Sequence, residues 1–300
     1  MSITSDEIET QPALWRQAVS LAGPAAELLP ARGERACIVG CGTSLYMAQA
    51  AAALRETAGH GETDAFAASE LPEDRRYDVL VAISRSGTTS EVTRVVKRSA
   101  AARTVAITAV PGSPVPAAAG ATVELPFADE RSVVQTRFAT TVLALLRAQT
   151  DSAAVLAAAD DAERALAQEL PLDPAGVEQW TFLGRGWAVG LAHEAALKLR
   201  EGAQAWAESY PAFEYRHGPI SIAAPGRVVW ALSPLHRPGA EQVRATGATL
   251  VEPALDPMAS LVLAQRAMLR IAEGRGLDPD VPRNLSRSVV LSEEELEVLT

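Results

Sequence analysis

The chain has almost no cysteine, few aromatic residues, no surplus of positive charge and no long apolar run, and each shortage removes a class of protein. Two cysteines, Cys37 and Cys41, cannot staple a disulfide scaffold. They are spaced C-x-x-x-C, and zinc would need further ligands close by, yet His60, His193, His217 and His236 are scattered along the sequence. The cysteines therefore read as small buried residues, and no metal is expected. A formal net charge of −10 would repel DNA or RNA, so no nucleic-acid partner is expected either. No apolar stretch reaches the roughly 18 residues that span a bilayer. Asp6, Glu7 and Glu9 lie where a signal peptide would carry positive charge. The expectation is a cytoplasmic chain with no membrane contact.

What is present is a 48% hydrophobic chain of 300 residues, dominated by alanine, enough for one large or two medium domains. Its most informative stretch runs from Asp78 to Arg94. Val79, Leu80, Val81, Ala82 and Ile83 form a continuous apolar run, the mark of a strand buried on both faces of a parallel sheet. Ser84, Arg85, Ser86, Gly87, Thr88, Thr89 and Ser90 follow, and Glu91, Val92, Val95 and Val96 then continue at helical spacing. Backbone N–H groups at a helix start attract anions, a glycine lets the loop close, and hydroxyls add donors without bulk. One hydroxyl would be an ordinary helix cap. Five hydroxyls in seven positions, with Arg85 among them, point to a phosphate site. The loop contains neither G-x-x-x-x-G-K-S/T nor G-x-G-x-x-G, so the phosphate is not expected to belong to a nucleotide.

One or two helices over Glu7 to Leu28, punctuated by Pro24 and Pro30, lead into a strand at Arg35 to Gly40. Cys41, Gly42, Thr43 and Ser44 then open an alanine-rich helix to about Ala58, a second strand, small-residue turn and helix. Further strands are expected near Asp64 to Ala67, Thr104 to Thr108 and Ala121 to Leu125, and helix from Val133 to about Leu170. Alternation at this spacing predicts a doubly wound parallel sheet with ligands beyond the carboxyl ends of its strands.

Past Pro174 the chain repeats itself. Val39-Gly40-Cys41-Gly42 returns as Leu183-Gly184-Arg185-Gly186, Leu54-Arg55-Glu56 as Leu199-Arg200-Glu201, and Val79 to Ser84 as Val228 to Ser233. Two copies of one α/β unit follow. After Ser233 come Pro234, Leu235, His236, Arg237 and Pro238, which offer a phosphate little, so one phosphate site is expected, in the first copy. The expected division is a helical segment at 1–32, a first α/β domain at 33–168 and a second at 169–300.

The second copy holds an acid, base and cation cluster. Glu194, Lys198 and Glu201 share one helix, the first two four apart and so on one face. After Tyr210 and Pro211 the chain leaves helix and reaches Arg216-His217-Gly218-Pro219, where a histidine in a stiff turn suits a positioned acid or base. The plainer reading is that Glu194 and Lys198 form a helix salt bridge contributing only about 0.3 to 0.5 kcal/mol.

The motifs C-G-T-S at Cys41 to Ser44, S-R-S-G-T-T at Ser84 to Thr89, F-L-G-R-G at Phe182 to Gly186, A-L-K-L-R-E at Ala196 to Glu201, R-H-G-P at Arg216 to Pro219 and P-R-N-L-S-R-S-V at Pro282 to Val289 resemble the sugar isomerase (SIS) family. The arrangement is similar to the double SIS unit of the isomerase half of glutamine:fructose-6-phosphate aminotransferase and to stand-alone phosphosugar isomerases and deaminases. The resemblance implies two tandem doubly wound, three-layer αβα, flavodoxin-like subdomains. It implies that Ser44, Ser84, Ser86 and Thr89 hold a sugar phosphate, while Cys41, Gly42, Thr43, Arg287 and the backbone from Val133 to Gln135 line the sugar. By the same likeness Glu201 is the proton-moving base and His217, supplied by a neighbouring subunit, helps open the ring, which implies a homodimer with a shared active site. Aldose-ketose exchange needs a base beside a carbonyl. Lys198 would steady the enediol oxyanion, and the far phosphate would orient the reacting carbons. No organic cofactor is implied.

Three departures shape the expected activity. The chain begins Met1-Ser2 without the cysteine that releases ammonia from glutamine, so full synthase activity is not expected. Arg287 stands where the synthase has an imine-forming lysine, and a guanidinium stays protonated. Arg85 and Gln135 replace a Gln and a Ser, and Arg85 is expected to make a charge-assisted contact with the phosphate. The leading expectation is an amino-sugar-phosphate isomerase or deaminase; the alternatives are a deglycase or ketose-aldose isomerase on another sugar 6-phosphate, and a non-catalytic sugar-phosphate sensor. Family sensors usually carry a helix-turn-helix domain ahead of the SIS unit, and the short acidic N-terminus is not expected to hold one.

Overall fold

The computed structural model describes residues 2–72 and 74–298. In chain order its elements are helices α1 (Ile3–Glu9) and α2 (Gln11–Ala26), strand β1 (Ala36–Gly40), α3 (Thr43–Thr57), β2 (Thr63–Ala67), β3 (Val79–Ile83), α4 (Ser90–Arg98), β4 (Arg103–Thr108), α5 (Pro114–Ala118), β5 (Ala121–Glu124), α6 (Arg137–Ala148) and α7 (Ser152–Ala167). The second half continues with β6 (Gln179–Gly184), α8 (Ala188–Ala203), β7 (Ala207–Pro211), β8 (Arg227–Ala231), α9 (Arg237–Ala245), β9 (Thr249–Val251), α10 (Pro257–Gly274) and α11 (Glu293–Glu297).

The strands form two wholly parallel sheets, ordered β2-β1-β3-β4-β5 and β7-β6-β8-β9. Numbered within each copy, these orders are 2-1-3-4-5 and 2-1-3-4. Each sheet reverses direction of growth between its first and third strands, which is the flavodoxin-like switch point. The repeat read from sequence is thus a repeat of fold.

The chain divides into two compact bodies. The first comprises Ala13–Arg131, Arg137–Val155 and the segment from Ser286 onward; the second comprises the residues up to Pro12, Ser132–Thr136 and Leu156–Leu285. This differs from the division expected at residues 32 and 168, because the opening residues join the second copy and the closing residues join the first. Each body gains its extra segment through long-range bonds. In the second, the Asp280 carboxylate accepts the Ile3 and Thr4 amides, both at 2.7 Å, and Gln11 bonds Gln265 at 2.7 Å.

In the first body β1 and β3 are buried along their whole length. Cys37, Val39, Leu80 and Ala82 point to the face covered by Val92 and Val96 of α4 and Val115 of α5. Ile38 and Val81 point the other way, toward Ala51 of α3 and Leu146 of α6. Helices therefore cover both faces, giving three layers. In the second body Leu183, Val229 and Ala231 pack with Val243 of α9. On the opposite face Trp180, Phe182 and Trp230 lie with ring centroids 6.0 to 6.4 Å apart, and Trp230 Nε1 donates to Ser260 of α10. Three of the chain's few aromatics thus concentrate where one of its sheets needs volume.

Two strands escape the sequence reading. Ala207–Pro211, expected to continue helix, is edge strand β7, and Thr249–Val251 is the short edge strand β9. Among the described residues no helix is long and apolar enough to cross a membrane.

Candidate active site

The first body presents its hydroxyl loop at the carboxyl ends of β1 and β3. Where β1 ends, a Cβ on Gly40 would lie 2.7 Å from the Ser44 Cβ, so the absence of a side chain lets α3 begin against the strand. Gly42 turns the chain at φ +53°, Leu45 donates back to its carbonyl at 3.0 Å, and Thr43 and Ser44 lie buried in the first turn of α3. Cys41 is half-buried, and burial, with the nearby Glu91 carboxylate adding, pushes its thiol up to about 11.

Where β3 ends, the Ser84 amide donates to the Ile107 carbonyl at 3.0 Å and extends the ladder by one residue. The Ser84 hydroxyl accepts the Gly87 amide at 3.1 Å and lies 3.3 Å from the Thr89 hydroxyl. Gly87 adopts φ +64°, and any Cβ there would collide with the Ser113 hydroxyl. Ser86 accepts the Thr88 amide at 3.2 Å and the Thr88 hydroxyl at 3.0 Å. Hydroxyls of Ser84, Ser86, Thr88 and Thr89 thus converge beside the start of α4, an arrangement of donors suited to an anion.

Arg85 has partners that the sequence did not suggest. Its side chain is 1% exposed, with one guanidinium nitrogen 3.7 Å from the equally buried Glu130 carboxylate and another donating to the Arg287 carbonyl at 2.9 Å. That geometry turns the positive charge toward Glu130 and the C-terminal segment. Arg287 itself pairs with Asp129 at 2.6 Å and donates to the Glu130 carbonyl. Its guanidinium is held by acceptors of the first body.

Sequence reasoning overlooked Glu130, Asp129 and Ser288. The Ser288 hydroxyl lies 2.8 Å from that of Thr88 and 3.1 Å from that of Ser86, joining the loop's own cluster. A signal existed: Ser84-Arg85-Ser86 recurs as Ser286-Arg287-Ser288.

The second body holds Glu201, Lys198, His217, Val133 and Gln135. Lys198 is fully buried on α8, its ammonium 3.4 Å from Glu194 and 2.5 Å from Glu201. The helix salt bridge of the plainer reading is present, but the small contribution expected of it does not hold, because Glu194 is 1% exposed. One cation between two carboxylates in a buried setting is a far stronger coupling than an exposed helix pair. The Glu201 side chain keeps 19% of its surface and is the carboxylate of the three-residue cluster that solvent can reach. His217 ends a single 3₁₀ turn (Glu214–His217), exposed, with Gly218 at φ +136° and Pro219 starting the next turn. Val133 and Gln135 flank Val134, whose carbonyl accepts the Ser132 hydroxyl at 2.8 Å; that hydroxyl also lies 2.5 Å from the Glu7 carboxylate. Among the described residues no group of three or more His, Cys, Asp or Glu side chains is arranged to hold a metal.

These two flavodoxin-like sheets, one ending in a hydroxyl loop, define the class: the chain carries a SIS domain, matched over residues 28–149. Its particular likenesses are to sugar-phosphate proteins. Over 96% of its length it is 29% identical to a glutamine–fructose-6-phosphate aminotransferase (isomerizing) of Aeropyrum pernix, covering 55% of that protein. The chain spans about half the length of the curated relatives it matches over most of its own length. Among solved structures, a glucosamine-6-phosphate deaminase of Thermotoga maritima superposes with a TM-score of 0.82 at 25% identity, covering 97% of this chain and all of that one. A tagatose-6-phosphate ketose/aldose isomerase of Escherichia coli shares the fold at 19% identity, with a TM-score of 0.78 and 97% of each chain covered.

Proposed function

We propose that this protein is a phosphosugar isomerase whose substrate is a 6-phosphorylated amino sugar, converting glucosamine 6-phosphate and water to fructose 6-phosphate and ammonia. The observation that carries the reading is the buried Glu194–Lys198–Glu201 cluster in a chain that also owns a hydroxyl loop at a switch point. In the proposed reaction Ser44, Ser84, Ser86 and Thr89 bind the phosphate through hydroxyl and amide donors. Glu201 removes the proton from C2 of the open-chain sugar and returns it at C1. The Lys198 ammonium steadies the enediol or enolamine oxygen as negative charge develops. His217 assists ring opening, supplied by a second copy of the chain in a homodimer. Water then displaces ammonia from the imine at C2. The likeness to the Thermotoga deaminase supports this substrate class.

Coupled release of ammonia from glucosamine 6-phosphate tests the reading. Glu201→Gln keeps the shape of the side chain and removes the base, so turnover should fall at least about a thousandfold with binding retained, as for other positioned general bases. A variant as active as the parent would reject the mechanism. A second reading, plain ketose-aldose exchange on another sugar 6-phosphate, is favoured by one observation: Arg287, in place of the synthase lysine, cannot form an imine. Product analysis over hexose and amino-hexose 6-phosphates separates the two.

A further inference from the structure

We propose that Arg85 is a positioning residue: braced by Glu130, it grips the main chain at Arg287 and sets the C-terminal segment in register against the hydroxyl loop. The consequence for the anion rests on the reading of that loop as a phosphate site; the grip itself does not.

The bonds form a continuous path through the first body. The Glu130 carboxylate accepts the Arg137 amide at 2.8 Å, which fixes it to the start of α6. Its other oxygen lies 3.7 Å from the Arg85 guanidinium. Arg85 then donates to the Arg287 carbonyl at 2.9 Å. The next residue, Ser288, joins the hydroxyls of Ser86 and Thr88. The Val289 carbonyl accepts the Ser90 amide at 3.4 Å, and the Leu291 amide donates to the Ser90 hydroxyl at 2.9 Å. One main-chain contact at Arg287 therefore dictates which residues of the segment meet the loop and the first turn of α4.

Arginine suits this task for a geometric reason. Its planar fork can donate toward a carboxylate on one side and a carbonyl on another while staying charged in a buried place. Turning the guanidinium toward an anion would leave the Glu130 carboxylate buried with its cation withdrawn, and would free the Arg287 carbonyl. Selectivity at the loop is then exercised through the segment: Ser288 is presented to the incoming group only while Arg85 holds its neighbour.

The test uses the whole chain and Arg85→Lys, which keeps the unit charge and removes the fork. Hydrogen exchange without ligand should show the Leu291 amide opening at least about tenfold faster while amides of β1, β3 and β4 keep their rates, the pattern of local opening. In the glucosamine 6-phosphate assay KM should rise at least about fivefold with kcat within about twofold, a loss of binding and not of chemistry. If Arg85 met the phosphate directly, lysine would preserve tail protection, and an unchanged Leu291 rate overturns the proposal. Should Arg85→Lys lose strand protection as well, Glu130→Gln serves instead, being of the same shape. It should loosen Leu291 more than any strand amide, and equal loosening of all amides overturns the proposal. Selective loosening of Leu291 in a protein that turns over no phosphosugar would leave the grip standing and reject the functional reading alone.

Discussion

Lys198 carries more of the second body's stability than any surface pair could. Replacing it by methionine leaves Glu194, 1% exposed, and Glu201, with 19% of its side chain exposed, facing each other without a cation. Breaking a buried pair in this way costs about 3 to 5 kcal/mol, and urea unfolding of Lys198→Met should show a loss of that size. At Gly87 two penalties coincide: a φ of +64° and a collision with Ser113 for any Cβ. Gly87→Ala should destabilise by about 1 to 3 kcal/mol, read as a lowered Tm. The thiols respond to pH in a defined direction. Burial raises Cys37 to about 12 and Cys41 to about 11. Both therefore stay protonated and inert to alkylation at pH 8, and native protein should label slowly. Above about pH 9 the unfolded chain ionises thiols that the folded chain keeps protonated. The unfolded state then binds fewer protons, so their contribution to stability falls as pH climbs toward 11.

At the scale of elements, sequence was most legible where one local rule applied. The five-residue apolar run of β3 and the hydroxyls after it needed only the period of a buried strand and the chemistry of a helix start. The two G-x-G turns were legible as a repeat, and they agree in geometry: Gly42 and Gly186 have φ of +53° and +56°, and Gly40 and Gly184 each back onto the residue four further along, Ser44 and Ala188. Gly184→Ala should accordingly push α8 from β6 and lower the Tm by several degrees, the scale of about 1 to 3 kcal/mol for overpacking. Strands β7 and β9 were not legible. Ala-Glu-Ser-Tyr-Pro has little β-branched character, and three residues at β9 are too few to show a period. Both are edges, specified by the neighbours they pair with.

At the scale of the whole molecule, the two copies were legible but the exchange of chain ends was not. Ser288 meets Thr88 across 200 residues, and Asp280 meets Thr4 across 276, separations that leave no local pattern. The partners of Arg85 were hidden for the same reason: a guanidinium beside hydroxyls suggests an anion, while Glu130 and Arg287 arrive from elsewhere in the chain. Truncation after Leu285 should cost the first body about 2 to 4 kcal/mol, the sum of a few partly exposed hydrogen bonds, and chemical denaturation followed by near-ultraviolet dichroism should show the loss.

That exchange also sets a timetable for synthesis. On the ribosome the five strands of the first sheet emerge well before the residues that fasten its loop, and domains tend to fold as they appear. The early product is a nearly finished sheet whose loop still waits for Arg287 and Ser288, which lie 202 and 200 residues further along the chain than their partners Arg85 and Thr88. The hydrogen-bond set of the loop is therefore completed only after the whole second sheet has been made, and a chain stopped short of Arg287 leaves Ser86 and Thr88 without their contacts to Ser288.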